Sequence, residues 1–447
     1  MTAEKLYCTT TVFTGRNKHC KNKSIEFTDD NARETELINI YPEVEYQTIR
    51  GFGGAITEAA GYIYSLMNGQ QKKEMLDEYF GRGKMNYRFV RIPIDSCDFS
   101  LSHYEADSDE MDEGLEKFSL ARLEEYILPM LRDAQRAYGD RLSIMLSPWS
   151  PPAYMKTNGQ RNFGGKLRAE YKERWSEYIC RYITELRGLG INVNMLSLQN
   201  EPNAVQLWDS CVYTAEEEKS FLRDYIWPAL KKKGLDDIKL YIWDHNKERA
   251  YERAAEIIDA ETDKMIAGLA FHWYSGDHFE SLAMVRERFP EKELLLSEAC
   301  IEYRSFNPGE NLINAQKYAH DMIGNFNAGM NTFIDWNLLL DSKGGPNHAG
   351  NYCDAPFMFN TESGQLTEQE LKAYIWHFSH FVLPGAKRIG FSRYTDKLDF
   401  TAFKTDNKIV FIVLNRNKEN IPVHIRLGNR CAPIELAGES ITTGIIT

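Results

Sequence analysis

Glu201 and Glu298 each close a short apolar run that reads as a β-strand, Met195 to Glu201 and Glu293 to Glu298. Pro202 ends the first run, because proline has no N–H to give to a ladder. Two carboxylates delivered to the same end of a parallel barrel can protonate a leaving-group oxygen with one and attack the exposed carbon with the other, the two-carboxylate chemistry of glycoside hydrolysis. A strand-terminal glutamate taken alone is more often a solvated surface charge, so the neighbours decide. Asn200 offers an amide beside Glu201 that can bond a sugar 2-hydroxyl, an interaction that strengthens in an oxocarbenium-like transition state.

The remaining strand-like runs also end in residues that suit a sugar. Tyr87 to Asp98 carries Arg91 and leaves through Asp98, and Leu142 to Trp149 ends on an indole. Leu240 to His245 ends on Asp244 and His245, Gly268 to Tyr274 on His272, Trp273 and Tyr274, and Thr332 to Asn337 on Asp335, Trp336 and Asn337. Any one of these aromatics is a core residue by default. Placed together at one end of a set of strands, they describe a pocket in which rings stack on pyranose faces and polar groups fix hydroxyls. Arg91 and Asp98 read as a charged clamp on the distal hydroxyls, and Trp208 as a stacking platform on the leaving-group side.

These residues have to be positioned by a regular frame. From Ile49 onward, strands alternate with helical stretches every 35 to 50 residues or so, which implies parallel βαβ units and, with eight strand candidates, a (β/α)8 barrel. Helices are expected over 65–79, 120–138, 169–189, 215–233, 251–259 and 314–327. Residues 1–46 and 386–447 read as β segments that pair into one β-sandwich side domain built from both chain ends, leaving 47–385 as the catalytic barrel. Gly51, Gly53 and Gly54 lack the GxGxxG spacing and precede no Gly-Lys-Ser/Thr, so they read as a close backbone approach to a ligand rather than a phosphate loop. His377 and His380 have metal-like helical spacing but no third ligand, and their reading is structural.

The ordered blocks Gly51–Thr57, Val90–Pro93, Ser96–Ser100, Ser147–Pro152 with Met155–Gly159, Asn200–Pro202, His272–Tyr274, Ser297–Cys300, Asp335–Asn337 and Gly344–Asn347 resemble glycoside hydrolase family 30, of the glucosylceramidase (acid β-glucosidase) type, over roughly residues 48 to 427. The resemblance implies that Glu201 is the acid/base and Glu298 the nucleophile of a retaining mechanism. It also implies that Arg91, Asp98, Trp149, Asn200, His272, Tyr274, Trp336 and Asn351 are pocket positions. No metal or organic cofactor is expected, because the carboxylate pair supplies both the proton and the nucleophile. The segments 203–211, 303–309 and 348–350 depart from the family pattern, which puts a ceramide aglycone in doubt.

A formal net charge of −12 argues against nucleic acids and anionic membranes as partners. The partner expected is a small β-glycoside or oligosaccharide; assembly with a second copy stays open. The first eight residues hold no apolar leader segment, so the expectation is a cytoplasmic protein. Eight cysteines with no CxxC pair read as reduced thiols, with Cys8 and Cys20 the one pair placed to bridge a hairpin. Three functions follow: an exo-acting retaining β-glycosidase of β-glucosidase type; an endo-β-1,6-glucanase or β-xylosidase of the same chemistry; and a carbohydrate-binding protein that has lost the reaction, which the presence of both glutamates disfavours.

Overall fold

The computed structural model describes residues 4–139, 142–405 and 407–447. Eight parallel strands close into a barrel: β1 Gly51–Ala55, β2 Phe89–Ile94, β3 Ser143–Pro148, β4 Val193–Ser197, β5 Lys239–Asn246, β6 Gly268–His272, β7 Glu293–Glu298 and β8 Thr332–Asn337. The runs are apolar at consecutive positions because helices cover the outside while side chains fill the inside. Seven strands send one side chain each to a common floor, made by Phe89, Met145, Met195, Tyr241, Ala270, Leu295 and Ile334. At Gly53 in β1 the backbone itself fills the space: a Cβ there would lie 2.1 Å from the Phe89 carbonyl oxygen. The close approaches of Gly53 and Gly54 are thus made within the protein, to Phe89 and to Leu338. Truncating one of the floor residues, Leu295→Ala for example, costs about 2–5 kcal/mol.

Above the floor the ladder becomes irregular. The β5–β6 register skips Asp244, the β6–β7 register skips Ser297, and the β8–β1 register skips Trp336. Such bulges re-aim side chains near functional sites. Asp244 and Trp243 sit at φ +52° and +73°, and Glu201, just past β4, at +47°. Left-handed backbone at a residue with a side chain costs on the order of 1–3 kcal/mol and persists only where surrounding bonds hold it; the Glu201 N–H donates to the Asp244 carbonyl at 3.0 Å.

Strands from both chain ends form a ten-stranded side sheet in which Lys5–Thr14 pairs with Ser440–Ile446 and Leu37–Thr48 pairs with Lys387–Arg393. It folds over a core that includes Leu6, Ile38, Phe400, Phe411 and Ile425. The strand Ile409–Asn415 is apolar throughout because it serves two cores. Ile409, Phe411 and Val413 face the sandwich, and Val410, Ile412 and Leu414 face the barrel's core. His377, on the helix Glu370–Ser379, joins the two domains by bonding Thr11 and Thr443 at 2.8 Å each, and His380 bonds the Lys84 carbonyl. Cys8 lies opposite Lys23 and Cys20 opposite Thr11, so the hairpin register separates the two thiols, and both are free.

The helix expected over 65–79 is two helices, Glu58–Leu66 and Gly69–Phe80. Asn68 separates them by capping the second, its side chain accepting from the Gln71 N–H while Gln71 returns the bond. Helices at Phe279–Arg288 and Glu370–Ser379 were not anticipated from the sequence pattern. Among the described residues no helix is long and apolar enough to cross a membrane.

Candidate active site

At the C-terminal mouth of the barrel lies a cavity of about 220 Å³, the end at which barrel enzymes carry their sites. Glu201, Glu298, Asp98, Trp149, Asn200, Trp208, Tyr274, Trp336 and Asn351 all line it. Arg91 and His272 do not; they form a polar layer directly behind the wall. Alternation explains this, since Arg91, Ser147, Ser197 and His272 each stand two residues beyond a floor residue.

Arg91 is completely buried and fully committed. It donates to Glu298 Oε2 at 2.6 Å, Asn200 Oδ1 at 2.7 Å, Asp244 Oδ2 at 2.9 Å and Ser147 Oγ at 3.0 Å. Its guanidinium also lies over the rings of Trp149 and Trp336, at 4.7 and 5.5 Å, and these indoles stack on each other at 5.4 Å. Burial opposes charge on Arg91, yet the carboxylates of Asp244 and Glu298 outweigh it and raise its pKa. The clamp expected of Arg91 and Asp98 is therefore not built: Arg91 does not line the cavity and makes no bond to Asp98. It positions Glu298 and Asn200 instead.

Asp244 is the hub of this layer. It accepts from Arg91, from Ser147 at 3.3 Å, from Ser297, and from His272 Nε2 at 3.2 Å. Burial opposes its ionisation, but Arg91 and His272 together hold its carboxyl well below the usual range. The other imidazole nitrogen, Nδ1, lies 3.3 Å from Glu201 Oε1, and Gln206 donates to Oε2 at the same distance. Burial opposes a charge on His272 as well; the carboxylates of Glu298, Asp244 and Glu201 overcome it and raise its pKa to about 9. Glu201 moves the opposite way, lowered by His245, His272 and Gln206 against the effect of its burial. The two shifts run in opposite directions, as for an imidazolium facing a carboxylate.

Glu298 has no such partner. Its second oxygen accepts from the Tyr274 hydroxyl at 3.0 Å. Asp98 differs again: burial first, then the nearby charges of Glu298 and Glu201, push its pKa up to about 8. At neutral pH it is a carboxylic acid. Asn351 donates to its Oδ2 at 3.0 Å, while its Oδ1 is buried with no partner.

His245 and, not singled out in advance, Gln206, Asn246, Cys300, Glu302, Arg304 and Ser305 complete the wall. Arg304 lies over the Trp208 ring at 5.8 Å. Most of these sit on loops without periodic pattern, but Asp244 and His245 end a recognisable strand and were legible as polar residues at its exit.

The Glycosyl hydrolase family 30 TIM-barrel domain model matches residues 49–382, and the family's beta sandwich domain model matches residues 385–444. Lysosomal acid glucosylceramidase of Mus musculus is 29% identical over 408 residues, 87% of this chain and 79% of that protein. The crystal structure of SrfJ from Salmonella typhimurium superposes with a TM-score of 0.94 at 38% identity, covering 98% of this chain and 99% of that one. The endo-β1,6-glucanase BT3312 superposes with a TM-score of 0.85 at 28% identity, covering 99% and 98%.

Proposed function

The chain belongs to glycosyl hydrolase family 30 and is a glycoside hydrolase, and from that premise we propose that it is a retaining, exo-acting β-glycosidase of β-glucosidase type, with Glu298 as nucleophile and Glu201 as acid/base. The observation that carries the assignment of roles is the unequal partnering of the two glutamates. Glu298 is ion-paired to a guanidinium that never deprotonates, which suits a group that must attack as an anion. Glu201 faces an imidazole that can release its proton, which suits a group that must give a proton and take one back.

In the first half-reaction Glu298 attacks the anomeric carbon, and the proton of the Glu201–His272 pair passes through Glu201 to the departing oxygen. The covalent ester removes the charge of Glu298, one of the groups that keep His272 protonated. In the second half-reaction Glu201 takes a proton from water, the hydroxide equivalent displaces Glu298, and the pair regains its proton. Asn200, fixed by Arg91, faces the position of the 2-hydroxyl.

Exo action is supported at the Asp98 end of the cavity. The Asn351–Asp98 bond ties the loops after β8 and β2 together there, and about 220 Å³ is less than the roughly 300–1,000 Å³ of pockets for drug-sized ligands. Trp208 and Arg304 also line the cavity, and this reading assigns them to the leaving group. The likeness to an endo-β1,6-glucanase favours a second reading, a cleft that takes an internal linkage. Early product analysis separates the two on β-1,6-glucan and small β-glucosides: free monosaccharide from chain ends supports the exo reading, and internal oligosaccharides with little monosaccharide overturn it. The same reading keeps domain limits at 46/47 and 385/386; the start of the strand Lys387–Arg393 supports the second, while the first falls two residues before the end of the strand Leu37–Thr48.

A further inference from the structure

Three side chains from three different loops converge outside the cavity. His103 follows β2, Asp209 follows β4 and His348 follows β8. One donor atom of each lies within 4.8 Å of the other two. His103 Nδ1 is 3.1 Å and His348 Nε2 is 3.8 Å from the same Asp209 oxygen, Oδ2, with the imidazole centroids 4.4 Å apart. A tetrahedral zinc with bonds of about 2.0–2.1 Å needs donors spaced about 3.3 Å apart. The cluster is within a small contraction of that spacing.

The protonation pattern favours a cation. His348 Nδ1 lies 2.8 Å from the Ser100 carbonyl, an acceptor, so Nδ1 carries the hydrogen and Nε2 a lone pair. That Nε2 is buried and has no hydrogen-bond partner. A ring N–H given to a backbone carbonyl while the opposite nitrogen points at an ion is the usual arrangement of a ligating histidine. Asp209 is fully buried and divided in function. Its Oδ1 takes Arg161 Nε at 2.6 Å and Ser96 Oγ at 2.8 Å, which leaves Oδ2 for the two imidazoles. Asp95 and Glu105 approach the same guanidinium at Nη1, at 3.5 and 3.9 Å.

We propose that His103, Asp209 and His348 bind a borderline divalent transition cation, of which zinc is the first candidate, with water completing its coordination through the exposed side of His103. Two imidazoles and one carboxylate are the donor set such ions prefer over magnesium or calcium. The ion stands apart from the reacting atoms. Its consequence is mechanical: Asp209 adjoins Trp208, His348 lies three residues before Asn351, and His103 lies five residues after Asp98, so one ion fastens together three loops that carry cavity residues.

The test is titration calorimetry of the chelator-stripped full chain with zinc chloride, and visible absorption with cobalt(II) as a spectroscopic stand-in. The expected result is one ion per chain, with affinity lowered roughly 10- to 100-fold or more in both His103→Ala and His348→Gln. Circular dichroism establishes that both variants are folded, and the exposed position of His103 makes the first the safer variant. No saturable binding by the wild type, or binding that neither substitution weakens, would overturn the proposal. Because the readout is binding, it is independent of which glycoside is hydrolysed.

Discussion

Glu298 receives a 2.6 Å ion pair from Arg91, which is part of the barrel's rigid interior, whereas Glu201 receives a 3.3 Å contact from His272 and another from Gln206 on the following loop. Both arrangements converge on Asp244, which bonds Arg91 on one side and His272 on the other. One buried carboxylate thus orients the guanidinium behind one glutamate and the imidazole beside the other. Removing a partner from such a buried network costs about 3–5 kcal/mol, because the remaining charge is left uncompensated. The lesson is that the two glutamates are partnered differently by groups behind the cavity wall, Arg91, Asp244 and His272.

The largest expected effect separates the two glutamates. Glu298→Ala should lose turnover on every substrate, by about 10⁴-fold or more, since no other group can form the glycosyl ester. Glu201→Ala should lose about 10²–10⁴-fold on glycosides with poor leaving groups and far less on activated aryl glycosides, with azide restoring turnover as the β-glycosyl azide. Rescue of Glu298→Ala to the β-azide would exchange the assignments.

A smaller effect tests the proton of the Glu201–His272 pair. His272 carries a raised pKa, so its proton is present at neutral pH and is lost as pH rises through about 9; Asp98 ionises near 8. The wild-type rate should therefore fall between those values. In His272→Gln the proton must be held by Glu201 itself, which releases it at lower pH, and the alkaline limb of kcat/KM should move down by more than about one pH unit. An unmoved limb in a folded variant means that the imidazole does not store the proton.

The smallest effect concerns Asp98. As an uncharged acid at neutral pH it should be replaced better by Asn than by Ala. Asp98→Ala is expected to cost about 2 kcal/mol in kcat/KM, and Asp98→Asn about 1 kcal/mol or less at pH 6–7. Equal losses would restore the charged clamp that the sequence suggested.

The barrel and both glutamates were legible because buried parallel strands are continuous apolar runs and the two acids stand where those runs stop. Trp149, Trp336 and Tyr274 were legible for the same reason. The hub role of Asp244 was not, because it depends on a bulge that turns the residue inward, and alternation cannot anticipate an inserted residue. Arg91 was expected at the cavity, but its side chain follows the inward alternation into a layer behind it that the sequence does not resolve. Gln206, Arg304 and the three loops at His103, Asp209 and His348 come together only through the closure of the barrel, which brings positions more than 100 residues apart to one rim.

Trapping with an activated 2-deoxy-2-fluoro-β-glucoside tests the central claim most directly, because the fluorine slows both formation and hydrolysis of the ester while the activated leaving group restores formation alone, so the ester accumulates. The account predicts one glycosyl unit per chain in the intact mass, on the peptide that contains Glu298, with activity recovering as the ester turns over. A label on Glu201, or an active enzyme that yields no covalent adduct and releases the inverted anomer, would contradict it.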